Sequence, residues 1–284
     1  MLHDYIATIK PLQQQLEFMV EPSAIKCQNQ LAKRQKEGNK MASSLSFRSG
    51  NPALGSETFN ISSHGMNTMT LEGAVNKTAI GLFLVMTTAL ITWNNPSPPL
   101  MFGGLIGGFI IAIATIFKKD WAPFTVPVYA LLEGLFLGGI SKFFEINYPG
   151  IAAQAIFLTL GILGSLLLAY KSGLIKPTEN FKLGIAAATG GIFLIYLINF
   201  VMSLFGSTGI PMIHESGIIG IGFSVFVVII ASLNLVLDFD FIEAGVEQGA
   251  PKYMEWYGAF GLMVTLIWLY LEILRLLAKL NSRD

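Results

Sequence analysis

The sequence predicts an all-α integral membrane protein, a bundle of seven transmembrane helices. Three observations lead there. Of 284 residues 53% are hydrophobic and only 13% charged, with a mean hydropathy of +0.60, whereas soluble domains carry roughly 25% charge. The charges that exist leave long gaps: no charged residue lies between Lys77 and Lys118, and Asn94-Asn95-Pro96-Ser97-Pro98-Pro99 splits that interval into two apolar runs. Each run is long enough for a bilayer, which needs about 20 residues. The runs also lack the alternation of a membrane barrel, and in hydrocarbon every backbone group of a spanning segment must be paired, which leaves the helix.

Taken in order, the gaps give spans at Ala74–Trp93, Leu100–Phe117, Trp121–Ile140, Ile151–Tyr170, Leu183–Phe205, Gly217–Leu237 and Trp256–Leu277, within a transmembrane domain of residues 74–280. Residues 1–73 are polar, mixed in charge and punctuated by Pro22, Gly50, Pro52, Gly55 and Gly65, a composition that predicts a disordered tail. A short amphipathic helix over Gln13–Val20 is the alternative. The composition changes just after Met41, which marks it as an alternative start, residues 1–40 then being an upstream extension. The early apolar run of a secretory signal is absent, so the first span acts as its own anchor.

Lys and Arg set the orientation. The side holding the amino-terminal region and the loops after spans two, four and six has fourteen, and the opposite side has four. The amino terminus is therefore expected in the cytoplasm and the carboxyl terminus outside, with Trp93, Trp121, Trp256, Tyr257 and Tyr170 as interfacial anchors. The glycine pairs Gly103/Gly107, Gly104/Gly108 and Gly134/Gly138 repeat at four residues, which suits close helix packing. A phosphate loop would need a preceding strand and a nearby Lys with Ser or Thr.

Composition excludes several functions. Net charge is zero, so no global basic surface exists for nucleic acid. The single cysteine, Cys27, cannot build a disulfide framework or a multi-cysteine zinc site, and His3, His64 and His214 share no ligand spacing. No cofactor fingerprint appears, so no resident cofactor is expected. The sequence has no His-Glu-x-x-His and no Gly-x-Ser-x-Gly, and no nucleophile has an evident base, which argues against an intramembrane enzyme. No clear inverted repeat suggests a coupled transporter.

The informative residues are acids within or beside spans. Glu133 lies mid-span, where a carboxylate costs roughly 2.5–3.5 kcal/mol, with no basic residue within a turn, so it should face the bundle interior or a wet cavity. Glu272 has Arg275 three residues later as a possible ion-pair partner, leaving a local pair and a functional acid both open. If the sixth helix continues past its span, Asn234 and Asp238 share one face, and Asp240, Glu243 and Glu247 another. The second face reads as a solvated acidic mouth. The first sets a carboxylate beside an amide, a pairing suited to a hard cation, the alternative being an Asp that meets the headgroups. Glu133 stands about 18 Å along its helix from Trp121, and Glu272 about 24 Å from Trp256. With Asp238 nearest the cytoplasm, the three would form steps along which Ca²⁺ or H⁺ could pass. Burial penalises the charged form of a carboxylate, so conduction would respond to pH near neutrality.

Several segments carry a resemblance: Phe47-Arg-Ser-Gly-Asn-Pro-Ala-Leu, Val128-Tyr-Ala-Leu-Leu-Glu-Gly-Leu-Phe-Leu-Gly-Gly-Ile-Ser, Leu235-Val-Leu-Asp-Phe-Asp-Phe-Ile-Glu, Glu255-Trp-Tyr-Gly-Ala-Phe and Trp268-Leu-Tyr-Leu-Glu-Ile-Leu-Arg-Leu-Leu. Over residues 44 to 280 the chain resembles the bacterial YccA/Bax-inhibitor family, also called the transmembrane BAX inhibitor motif family. The resemblance implies a central helix wrapped by six others in a bacterial inner membrane. It also implies a pH-sensitive calcium leak gated by paired acids on the last two helices. Asp238 matches the Asp of the family's Asp-Thr-Gln-like motif and Asp240 stands where its Gln would be. The family's span-seven acid would fall near Met263, while Glu272 stands 34 residues past Asp238; either the last helix is offset, with Asp238 and Glu272 as the Ca²⁺ ligands, or the acid pair is broken and Glu272 does something else. Some bacterial members are associated with a membrane-bound protease, so the second expectation is a non-conducting regulator of such a protease or of membrane-protein quality control.

Overall fold

The computed structural model describes residues 68–205 and 217–282. The expectations for the amino-terminal tail before residue 68, including Gln13–Val20, Met41, the motif from Phe47, Cys27, His3 and His64, lie outside these residues, as does His214.

Among the described residues seven helices are long and apolar enough to cross a membrane: α1 (Leu71–Asn94), α2 (Pro98–Phe117), α3 (Ala122–Asn147), α4 (Ile151–Lys171), α5 (Glu179–Leu204), α6 (Ile218–Glu247) and α7 (Met254–Asn281). Their starts follow local chemistry. Thr70 caps α1 by accepting from the Gly73 N–H, Thr178 caps α5 by accepting from Phe181, and Pro98-Pro99 open α2 where missing N–H groups cost nothing. Gly150 and Gly249 take φ of +88° and +64° in the turns into α4 and out of α6, conformations that favour glycine.

Two helices run past the ends predicted from charge. α3 continues beyond Ile140 to Asn147 and α6 beyond Leu237 to Glu247. In each extension charged side chains find partners. Glu145 accepts from the N–H groups of Gly150 at 2.6 Å and Ala152 at 3.1 Å, at the start of α4. Asp240 pairs with Lys182 of α5 at 2.5 Å, and Glu243 accepts from the Tyr170 hydroxyl of α4. The expected solvated acidic face is thus tied to the two neighbouring helices at Asp240 and Glu243.

α7 is the centre. It has buried residues on all sides, from Met254 to Lys279, as an apolar helix inside a bundle must. One apolar cluster joins it to α1, α3 and α6 through Val85, Val126, Tyr129, Ile242, Phe260 and Met263, and a second joins it to α4 and α6 through Ala155, Leu235, Leu266 and Leu269. α5 is peripheral: only Ile185 and Ile192 are buried, against Val227 and Ile230 of α6. The outward faces carry apolar side chains such as Phe83, Phe109, Phe157 and Phe193, all more than half exposed. Such a surface suits lipid.

Gly134 and Gly138 let α3 touch the backbone of α1, where added Cβ atoms would strike the Val85 and Ala89 carbonyls; Gly104 does the same for α2 against the Leu132 carbonyl of α3, while Gly108 faces the Glu133 side chain. Gly103 meets open space, so the Gly103/Gly107 pair is not a packing seam. Tyr257 is also not the expected interfacial anchor. It is fully buried beside Phe260, because α7 is central and its first turn is enclosed. Trp93 and Trp256 lie under the ammonium groups of Lys142 and Lys77.

Candidate functional site: carboxylates inside the bundle

Asn234 and Asp238 lie one turn apart on α6, and both are buried, at 1% and 0% exposure. The Asn234 amide donates to Thr189 Oγ1 at 2.8 Å and to the Ile230 carbonyl at 2.9 Å. Its Oδ1 is buried with no hydrogen-bond partner. A buried acceptor left without a donor costs on the order of 1–3 kcal/mol, so it marks a place where another group could bind. Asp240, two residues on, belongs to the Lys182 pair on a different face and does not join Asp238.

Helix registers fix the depth of each acid. α6 and α7 are antiparallel, and Ile242 packs against Gly258. Counting back one turn puts Asp238 level with Leu262 and Met263. α3 and α7 are parallel, held by Tyr129 against Phe260 at 5.1 Å and by Ser141 bonded to Tyr270 at 2.6 Å. That register sets Glu133 at the level of Met263 as well. Asp238 and Glu133 therefore share one depth, instead of forming the successive steps expected from span ends. The reason is the extension of α6, which carries Asp238 about 14 Å inside the helix terminus at 1.5 Å per residue. Glu133 is 8% exposed, and its carboxylate lies where Gly108 leaves room; a Cβ there would stand 2.7 Å from Oε1.

Glu272 is elsewhere. It is 2% exposed and accepts from Tyr196 at 2.9 Å and from Arg275 Nη1 at 2.9 and 3.1 Å, while Arg275 also donates to Tyr196 at 2.9 Å. The position where the resemblance puts the second acid holds Met263, fully buried and packed on Gly81 of α1. Nine residues separate Met263 from Glu272, which is about 14 Å along a helix and about half a turn around it. One Ca²⁺, with ligands at about 2.3–2.6 Å, cannot be held by Asp238 and Glu272 together. Among the described residues no group of three or more His, Cys, Asp or Glu side chains is placed to hold a metal.

Two buried charges escaped the sequence reading as site residues. Glu255, fully buried in the first turn of α7, accepts from the Thr70 N–H at 3.0 Å, the Thr70 hydroxyl at 2.9 Å and Lys252 at 3.0 Å. Met69 N–H donates to the Ala250 carbonyl at 2.8 Å beside it. The start of α1 is thereby fastened to the α6–α7 connection. Lys279, near the other end of α7, donates to the Gly220 carbonyl at 3.0 Å and to Ser224 at 2.8 Å. The signal for Glu255 was an acid in a first helical turn and that for Lys279 a base in a last turn, neither of which tells a buried charge from an exposed one.

The family model described as Bax inhibitor 1 like matches residues 25–282. A search of curated proteins gives no match.

Proposed function

The chain belongs to the Bax inhibitor 1 like family, and on that premise we propose that it is a pH-sensitive cation leak, passing Ca²⁺ along carboxylates inside the helix bundle. The observation that carries the reading is the buried Asn234–Asp238 pair, in which an amide oxygen without a donor lies one turn from a fully buried carboxylate. Hard cations take oxygen ligands of this kind. Glu133 adds a second carboxylate at the same depth, and Glu272 is a separate station about 14 Å further along α7. Gain or loss of a proton at Asp238 changes the charge a passing cation meets, which makes the leak respond to pH. The excess of Lys and Arg, fourteen against four, supports an amino terminus in the cytoplasm and a carboxyl terminus outside, and the family resemblance supports a bacterial inner membrane.

The test is calcium efflux from proteoliposomes containing Asn234→Leu. Loss of the amide oxygen is expected to slow efflux several-fold with the fold retained; efflux equal to wild type removes the reading.

A second reading is a non-conducting regulator of a membrane protease or of membrane-protein quality control. It is favoured by the Glu272–Arg275–Tyr196 and Glu255–Thr70–Lys252 networks, which spend two buried carboxylates on holding helices together. In neither reading does the chain catalyse a reaction or keep a cofactor; ions are cargo or regulators.

A further inference from the structure

At the carboxyl-terminal ends of α3 and α7 a cleft of about 410 Å³ opens between the helices, lined by Phe143, Asn147, Tyr148, Arg275, Lys279 and Ser282 among others. None of the acids discussed above lines it. We propose that this cleft binds the phosphate of a phospholipid headgroup, with preference for an anionic lipid.

The chemistry of the lining comes first. The residues that line it carry two cationic groups, an amide and two hydroxyls, together with aromatic rings; the Asn147 amide donates to the Phe143 carbonyl and the Ser282 hydroxyl to the Lys279 carbonyl. Arginine and lysine are the side chains that recognise phosphate, arginine through a planar fork of donors. Arg275 engages Glu272 and Tyr196 through Nη1, and its side chain remains 39% exposed. Its ring-face contact with Tyr196, 5.3 Å from Cζ to the centroid, fixes the plane of the guanidinium. Lys279 also lines the cleft, its ammonium turned onto Gly220 and Ser224 of α6 and the residue 6% exposed. Glu272 balances the charge of Arg275, so the net charge behind the cleft is that of Lys279. The nearby Glu145 turns both carboxylate oxygens onto the start of α4, at Gly150 and Ala152, and does not line the cleft.

Depth points to a lipid as the source of the phosphate. α7 has 28 residues, about 42 Å at 1.5 Å per residue, around a hydrocarbon layer of about 30 Å. Arg275 then lies about 11 Å and Lys279 about 17 Å from the helix midpoint, so the cleft runs from the edge of the hydrocarbon into the headgroup layer. Phe143, at its rim, and Ile146 beside it are 61% and 67% exposed and offer apolar surface to acyl chains.

The experiment uses the full chain, purified in detergent, and native mass spectrometry with phosphatidylglycerol, phosphatidylcholine or inorganic phosphate. Wild type is expected to retain phosphatidylglycerol about tenfold over phosphatidylcholine, the factor of one charge-assisted contact, with no displacement by millimolar phosphate. The double variant Glu272→Gln/Arg275→Gln keeps a neutral network yet removes the guanidinium, and Lys279→Met removes the ammonium at similar volume; each is expected to abolish the preference. Equal retention of the two lipids by wild type, or full preference in both folded variants, would overturn the proposal. Displacement by inorganic phosphate would do so too, by making this a site for the free anion. A photoactivatable phosphatidylglycerol gives a check on wild type alone: crosslinks should map to peptides containing Phe143–Tyr148 and Arg275–Ser282, and crosslinks confined to other segments contradict the assignment.

Discussion

Removing the Thr70 hydroxyl should loosen the joint between the start of α1 and α7 by an amount that Glu255 controls. Thr70→Val deletes one donor, 2.9 Å from Glu255 Oε1, and the acceptor that caps the Gly73 N–H at 3.0 Å, but keeps the backbone donor. A hydrogen bond to a charged group contributes about 1.5 kcal/mol or more, and a cap about 1 kcal/mol. Thr70→Val should therefore cost about 2.5 kcal/mol. Glu255→Gln removes the charge from a carboxylate with three donors and should cost about 2–3 kcal/mol; Lys252 contributes little of this because its side chain is 54% exposed. The double variant should cost less than the sum by about 1.5 kcal/mol, since the shared bond is lost once. Reversible unfolding in mixed micelles gives the three values, and hydrogen exchange at the Thr70 amide gives a local readout. A coupling below about 0.5 kcal/mol, with Thr70 amide protection unchanged in Glu255→Gln, would refute the joint.

Gly134→Ala and Gly138→Ala place Cβ atoms against α1 carbonyls and should each destabilise by about 3 kcal/mol or more in the same assay, whereas Gly103→Ala, facing open space, should be neutral or stabilising. Arg275→Ala strands a carboxylate that is 2% exposed and should cost about 3 kcal/mol, most of it recovered in Glu272→Gln/Arg275→Gln. In calcium flux, Glu133→Gln should alter the rate more than Glu272→Gln, because Glu133 shares the depth of Asp238 while Glu272 is occupied by Arg275 and Tyr196.

The spans were legible because hydrocarbon forbids unpaired charge, so gaps between charges reveal helices. The same criterion stopped too early at Ile140 and Leu237, since Glu145, Asp240 and Glu243 are charges with partners on other helices, and pairing across helices leaves no local trace. Glu133 stood out through its isolation in the chain, and Asn234 and Asp238 through their spacing; all three are buried. Their common depth was hidden, because it depends on registers set by contacts such as Ile242 with Gly258. Glu255 was quoted only as part of a motif: its main partner, Thr70, is 185 residues away. Tyr257 looked interfacial because a helix start usually is, and only the central position of α7 encloses it.

The most direct measurement of the cation-leak reading is calcium-dye flux in proteoliposomes carrying wild type or Asp238→Asn at equal protein-to-lipid ratio, at acidic and mildly alkaline pH. The account predicts a wild-type leak that changes with pH and a variant whose pH response is gone. A folded wild type that passes no calcium at either pH, or an Asp238→Asn variant with the wild-type response, would contradict it.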